Sequence, residues 1–212
     1  MSSGDAKRRA SHIFPRAAHE WYVEEPVATT GLLSVEKFAG RVWDPCCGQG
    51  NIVKELMEAG YDAVGSDIVR RVPDDTPWFM WETDFLGDEV KFPVGAINIC
   101  FNPPFGKSKV AEACIRRALI AVTGKVAAFV DQRFIGSALR ANGLFAEHPP
   151  TRIWSITPRI SCPPGEYLLA GNKAGGGTAD YVWIVWDLTA PVGDTAFGWI
   201  RNAKQKSARA NA

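Results

Sequence analysis

The chain has 212 residues, 46% of them hydrophobic and 22% charged, which is enough for one hydrophobic core of ordinary size with little left for a second domain. A net charge of +1 excludes a protein that coats nucleic acid through its overall field, and no run approaches the roughly 18 apolar residues of a membrane span. The opening stretch MSSGDAKRRASHIFPR lacks the apolar segment of a secretory signal, so a cytoplasmic protein without a membrane partner is expected.

The five cysteines, Cys46, Cys47, Cys100, Cys114 and Cys162, are odd in number, and most lie inside apolar patterns. Reduced buried thiols look like this, and a disulfide frame does not. No CxxC pair occurs and the three histidines stand far from the cysteines, so no metal site is expected. Basic residues gather at both ends, Lys7, Arg8, Arg9 and Arg16 at one and Lys204, Lys206 and Arg209 at the other, among few large apolar side chains. These patterns predict a flexible basic segment over 1–18, a single domain over 19–201 and a flexible tail over 202–212. The basic ends serve either as solvated tails or as contacts to a phosphate backbone.

Between the tails, short apolar runs alternate with helical patterns. That alternation predicts an α/β fold with a mainly parallel sheet covered by helices on both faces. Strands are expected at 41–44, 62–66, 78–82, 96–101, 125–130, 152–157 and 181–187, seven in one sheet, with the last antiparallel. Helices are expected at 51–59, where Ile52, Val53, Leu56 and Met57 share a face, at 108–122, and at 134–147 ahead of Pro149 and Pro150. Two stretches rich in Pro, Gly and polar residues, 73–77 and 161–178, read as loops, the longer one as a candidate functional or mobile segment.

One constellation is Val42-Trp43-Asp44-Pro45-Cys46-Cys47-Gly48-Gln49-Gly50, a strand entering a glycine-rich turn and then a helix. Open α/β sheets bind ligands outside the carboxyl ends of their strands, and glycines let backbone approach a ligand closely. About twenty residues further on, the next strand ends in Asp67-Ile68, an acid placed to accept hydrogen bonds from two ribose hydroxyls. The strand after that ends in Asp84-Phe85, a carboxylate and an aromatic suited to the amine and the face of an adenine. Each acid alone reads equally as a cap or turn residue; the ordered set points to a nucleoside.

A second constellation is the buried strand Ile97-Asn98-Ile99-Cys100-Phe101 ending in Asn102-Pro103-Pro104-Phe105. The prolines fix the backbone and remove two donors, so the Asn102 side-chain oxygen and the Pro103 carbonyl can both face the crevice as acceptors. An exocyclic amine conjugated to an aromatic ring is a poor nucleophile. Two acceptors on its N–H bonds favour a pyramidal nitrogen and stabilise the charge that grows there during alkyl transfer. Phe105 would stack on the planar substrate and hold attack in line.

On these residues the chain resembles the class I S-adenosylmethionine (SAM)-dependent methyltransferases, specifically the amino-group branch that includes N6-adenine DNA methyltransferases and its small phage or prophage-type members. The resemblance covers residues 20–187. It implies that Asp44, Pro45, Cys46, Gly48 and Gly50 form the first SAM motif, that Asp67 with Ile68 holds the ribose, and that Asp84 and Phe85 contact the adenine of SAM. It further implies that Asn102, Pro103, Pro104 and Phe105 are the catalytic motif, with Asn102 also reaching the cofactor. Trp21-Tyr22-Val23-Glu24-Glu25-Pro26 is similar to the family's N-terminal motif, which makes Tyr22 a cofactor contact ahead of a helix closing over the methionine end. Glu25 stands where that family usually has threonine.

The function implied is methyl transfer to the N6 amine of adenine, with DNA ahead of RNA as partner and the base flipped out of its stack. An adenine in RNA or a protein glutamine amide fits the same grip, and a SAM-binding accessory subunit without activity is the reading from another class. No room remains for a separate target-recognition domain, so specificity falls to loops, a homodimer partner or an accessory protein. Arg133 and Lys173 are the candidate contacts to the nucleic acid, each equally readable as a solvated charge. Pro45-Cys46 spells the dipeptide of cytosine-C5 enzymes but sits in the glycine turn, not after the fourth strand.

Overall fold

The structure, a computed structural model, describes residues 20–104, 108–175, 177 and 179–201. The expectations for the two tails, and those for Phe105, therefore lie outside the described residues.

Eight strands form one sheet: β1 (Arg41–Asp44), β2 (Ala63–Asp67), β3 (Phe79–Glu82), β4 (Ala96–Phe101), β5 (Lys125–Asp131), β6 (Arg152–Thr157), β7 (Tyr181–Asp187) and β8 (Ala196–Arg201). Their spatial order is β3-β2-β1-β4-β5-β7-β6-β8. Every neighbouring pair is parallel except those made by β7, which runs antiparallel to β5 and β6. The expected seven strands are all present, and β7 has the expected reversed direction. The eighth strand, parallel to β6 on the outer edge, corrects the expected count. Its pattern is hidden in the sequence because Gly198 interrupts the apolar run: a β-carbon there would strike the Trp154 ring across the sheet.

Alternation along the strands separates two faces. Val42, Cys100, Phe129, Trp183 and Val185 point to one side, where helices α1 (Pro26–Val35) and α2 (Asn51–Glu58) supply Ala28, Leu32, Ile52, Val53 and Leu56. Trp43, Ile99, Phe101, Val130 and Ile184 point to the other, against Ala111, Cys114, Ile115 and Ala118 of α3 (Ser108–Ala121). Burial of a core side chain of this size contributes roughly 1.5–3 kcal/mol, so the two clusters carry most of the folding energy.

Helix α2 ends because Gly60 adopts φ 87°, which lets Gly60 N–H bond Met57 O and Tyr61 N–H bond Leu56 O, at 2.9 and 3.0 Å. The single helix expected over 134–147 is instead a 3-10 turn (Gln132–Phe134) followed by α4 (Ala138–Asn142) and α5 (Leu144–Glu147). Gly136 and Gly143 fall at the two breaks, where the chain turns more sharply than a helix allows. The long loop over 161–178 is likewise more structured than expected. Residues 161–165 are buried, and α6 (Gly165–Leu169) follows them.

The chain leaves β1 toward β2 and β3 on one side and returns through β4 to β5 on the other. The carboxyl ends of β1 and β4 are therefore adjacent where the strand order reverses, which is where an open α/β sheet forms its crevice. The turn at 44–50 and the segment at 102–104 meet there.

Candidate active site

A small pocket opens at this crevice, walled by the turn from Asp44 to Gly48, by residues 21–24 and by Asn102. The turn is held from below: Asp44 Oδ1 accepts from Cys46 N–H at 3.0 Å, and Asp67 Oδ2 accepts from Gly48 N–H at 2.8 Å. Gly48 and Gly50 have φ of 54° and 80°, the left-handed region in which a side chain is strained. Both glycines also leave room for a tryptophan. Trp21 lies against Gly48 and Trp78 against Gly50, so indoles of this chain cover the faces the glycines leave open.

Asn102 leaves β4 half-buried, and its side-chain nitrogen donates to Tyr22 O at 3.1 Å and to Glu24 Oε2 at 2.7 Å. Those two acceptors fix which end of the amide is nitrogen. Asn102 Oδ1 is buried without a hydrogen-bond partner among the described residues, in a residue that lines the pocket. An orphaned buried acceptor costs about 1–3 kcal/mol, a strain reserve expected where a ligand donor completes the site. Pro103 is buried beside it and Pro104 half-buried.

Residues 21–25 form an extended strap ahead of α1. Val23 N–H bonds Pro163 O at 2.9 Å and Gly165 N–H bonds Trp21 O at 3.0 Å, so the buried part of the 161–165 loop is the strap's anchor. Glu25 Oε1 accepts from Ser161 N–H at 2.8 Å, giving the residue at the unusual position of the N-terminal motif a structural role. Glu24 turns inward and is 5% exposed. Burial pushes its carboxyl from 4.5 up to about 7, against hydrogen bonds from its own backbone and from Asn102. Asp44, 2% exposed, is also held well above the ordinary carboxylate range by burial, one backbone bond from Cys46 opposing it and Glu24 and Asp67 adding repulsion.

The other expected site residues are distributed as follows. Tyr22 lines the pocket and Pro45 is buried in the turn; Cys46 lines the pocket with its thiol beside Cys114 of α3. Asp67 ends β2 behind Gly48, but its second oxygen already accepts from Val69 N–H and from Arg71 Nη1, at 3.1 and 2.8 Å. The Arg71 guanidinium lies 4.7 Å over the Trp21 ring, a cation–π pair that ties the strap to the end of β2. Ile68 is exposed next to it. Asp84 is exposed and caps a turn through Leu86 N–H at 2.9 Å. Phe85 is 3% exposed and packs edge-on against Trp43 and Phe101 in the core. Neither wall of the pocket includes Asp84 or Phe85. Arg133 follows β5 and forms a forked pair with Asp131, at 2.8 and 2.6 Å, while Lys173 is exposed on the far part of the 161–178 loop. Sequence reasoning quoted Trp21 and Glu24 within the N-terminal motif without giving them a role and passed over Arg71, because the contacts of Trp21 to Gly48, Glu24 to Asn102 and Arg71 to Trp21 are distant in the chain.

The chemistry of the walls fits SAM at its methionine end. The buried carboxyl of Asp44 suits a cationic group, because a cation within the pocket favours its ionised form.

No protein-family model matches the sequence, and comparison with curated proteins gives no match. Solved structures are similar in fold. The modification subunit of a candidate type I restriction enzyme from Vibrio vulnificus superposes with a TM-score of 0.56 at 12% identity, over 84% of this chain and 46% of that one. A candidate RNA methyltransferase from Pyrococcus horikoshii gives 0.52 at 11% identity, over 76% of this chain and 80% of that one. A candidate hemolysin from Lactococcus lactis also gives 0.52 at 11% identity, over 88% and 96%. With β7 reversed in an otherwise parallel sheet and the glycine turn after β1, the chain has the fold of the class I SAM-dependent methyltransferases.

Proposed function

We propose that the chain is a SAM-dependent methyltransferase acting on the exocyclic N6 amine of adenine in DNA. The observation that carries the reading is the orphaned Asn102 Oδ1, held at the pocket by an amide whose nitrogen is fully engaged elsewhere. SAM, when bound, supplies an electrophilic methyl on a sulfonium. The protein's part is to hold the amine. Asn102 Oδ1 and the Pro103 carbonyl accept its two N–H bonds, keep its lone pair out of conjugation and stabilise the charge developing on nitrogen. Phe105 stacks on the flipped base, and Arg133 and Lys173 meet phosphates. Tyr22, Asp44, Pro45, Cys46, Gly48, Gly50, Asp67, Ile68, Asp84 and Phe85 surround or support the cofactor.

Mass spectrometry of nucleosides from DNA and RNA of cells expressing the protein tests the reading. N6-methyladenine enriched in DNA is expected. Methyl label confined to RNA moves the substrate to RNA adenine, and label confined to protein moves it to a glutamine amide. No transfer to any of the three, alongside SAM binding, would leave an accessory subunit.

A further inference from the structure

Resting on the amine-methylation reading, we infer that Glu24 is the positioning residue that sets the Asn102 amide for reaction. An asparagine side chain has two orientations, related by a flip about its last torsion, that differ only in which of oxygen and nitrogen faces the crevice. Only one presents an acceptor to a substrate amine. Free rotation would spend half of the time presenting N–H donors, which repel the amine's own hydrogens.

The structure removes that freedom with two acceptors. Tyr22 O is a backbone group and a part of the strap; Glu24 Oε2, at 2.7 Å, is the shorter partner and carries charge when ionised. A charge-assisted hydrogen bond is roughly twice as strong as a neutral one. Both Asn102 N–H bonds are thereby used, the Cys162 thiol lies beside the same amide, and Oδ1 is buried with no hydrogen-bond partner among the described residues.

The backbone of Glu24 is fixed in turn. Its carbonyl accepts from Asn51 Nδ2 at 3.2 Å, at the first residue of α2, and Pro26 starts α1 two residues later. The acid that holds the amide is thus tied to the helix that follows the SAM turn. Three titratable groups face Glu24: Asp44 from the end of β1, Cys100 from β4 and Cys162 from the 161–165 anchor. None is a cation among the described residues, so the carboxyl is held by burial and hydrogen bonds alone. An ionised Glu24 accepts from Asn102. A protonated one can turn its own O–H toward the amide and release the preferred orientation.

The test uses the full chain with Glu24→Gln and Glu24→Ala, and two readouts. The first is the Asn102 side-chain amide signal in ¹H–¹⁵N spectra, assigned by its loss in Asn102→Ala and followed between pH 5.5 and 8.5. In the wild type it is expected to titrate with a midpoint near 7 and in Glu24→Gln to be flat. A titration that survives Glu24→Gln belongs to Asp44, since burial pushes the Cys100 and Cys162 thiols well above this pH range, and overturns the assignment, as does an Asn102 signal unchanged in Glu24→Ala. The second is methyl transfer to adenine-containing DNA at saturating SAM. Glu24→Ala is expected to lower kcat about 100-fold, the scale of one lost electrostatic positioning contact. An effect lying wholly in SAM affinity, with kcat intact, would make Glu24 a cofactor ligand and overturn the positioning role. A wild type that methylates nothing sinks the amine-methylation reading, while the amide titration still decides what Glu24 does to Asn102.

Discussion

The indole of Trp21 sits where a side chain on Gly48 would have to be: a β-carbon built on that glycine falls 2.6 Å from Trp21 Nε1. The glycine of the turn is thus required twice, once for its φ of 54° and once for the neighbour lying on it. A non-glycine residue in the left-handed region costs about 1–2 kcal/mol. The clash adds to that, so Gly48→Ala should lose about 2–4 kcal/mol in all, within the range for overpacking. In a Trp21→Ala background only the backbone part remains, and the same substitution should cost about 1–2 kcal/mol. Urea unfolding of the four proteins measures the difference; additive costs would mean that Trp21 does not rest on Gly48 in solution.

The sheet is readable where strands are continuous apolar runs. Residues 125–131 and 181–187 are buried on both faces, so their patterns name them without help from neighbours. Strand β8 is not readable, because its central Gly198 is small to admit Trp154, a fact belonging to another strand. The site divides in the same way. Asn102 and the turn at 44–50 are local signatures at strand ends. Glu24 and Glu25 are adjacent acids with near-identical local surroundings, and only the fold decides that one faces Asn102 and the other Ser161 N–H.

At the opposite end of the sheet from the pocket, Glu36 closes α1 with a side chain 2% exposed. It accepts from Lys125 Nζ, Arg152 Nη2 and Trp154 Nε1, each at 2.9 Å, with a further bond from Arg152 Nε. Removing the acid leaves Lys125 and Arg152, both half-buried, with Asp187 as their remaining acidic partner at 3.4 and 3.3 Å. Glu36→Ala should therefore cost about 1–3 kcal/mol, less than breaking a fully buried ion pair. For a chain of this size that is a fall in Tm of roughly 2–12 °C. SAM affinity at a temperature where the variant is folded should be unchanged, since the cluster lies at the amino ends of the parallel strands. Thermal unfolding with titration calorimetry separates the two; a stability loss below about 1 kcal/mol would mark the cluster as solvent-screened.

Glu24 carries a stability cost with a definite pH dependence. Burial raises its carboxyl from 4.5 to about 7, so between those values the folded state binds a proton that the unfolded state has lost. Stability contributed by the neutral acid is complete below pH 4.5 and is lost as pH rises through about 7. Glu24→Gln, neutral at every pH, should match the wild type near pH 5 and exceed it at pH 8 by up to about 3 kcal/mol. Urea unfolding at the two pH values checks this. An equal margin at both would show that the gain has nothing to do with the charge.

Asn102 can be exchanged for aspartate in a way that reads the direction of its hydrogen bond to Glu24. Asn102→Asp removes both donors and places a carboxylate 2.7 Å from Glu24 Oε2, in the atom positions of the present pair. Two carboxylates at that separation cannot both ionise, so the pair shares one proton and loses the fixed acceptor geometry. Methyl transfer at pH 8 and saturating SAM should fall about 100-fold, by the same electrostatic scale. Adding Glu24→Gln restores one donor and one acceptor with their owners exchanged: the new amide on the strap donates, and the new carboxylate at the end of β4 accepts and still presents an oxygen to the crevice. The double variant should recover at least about tenfold over Asn102→Asp alone. A double variant no better than the single would mean that Glu24 meets Asn102 without directing it.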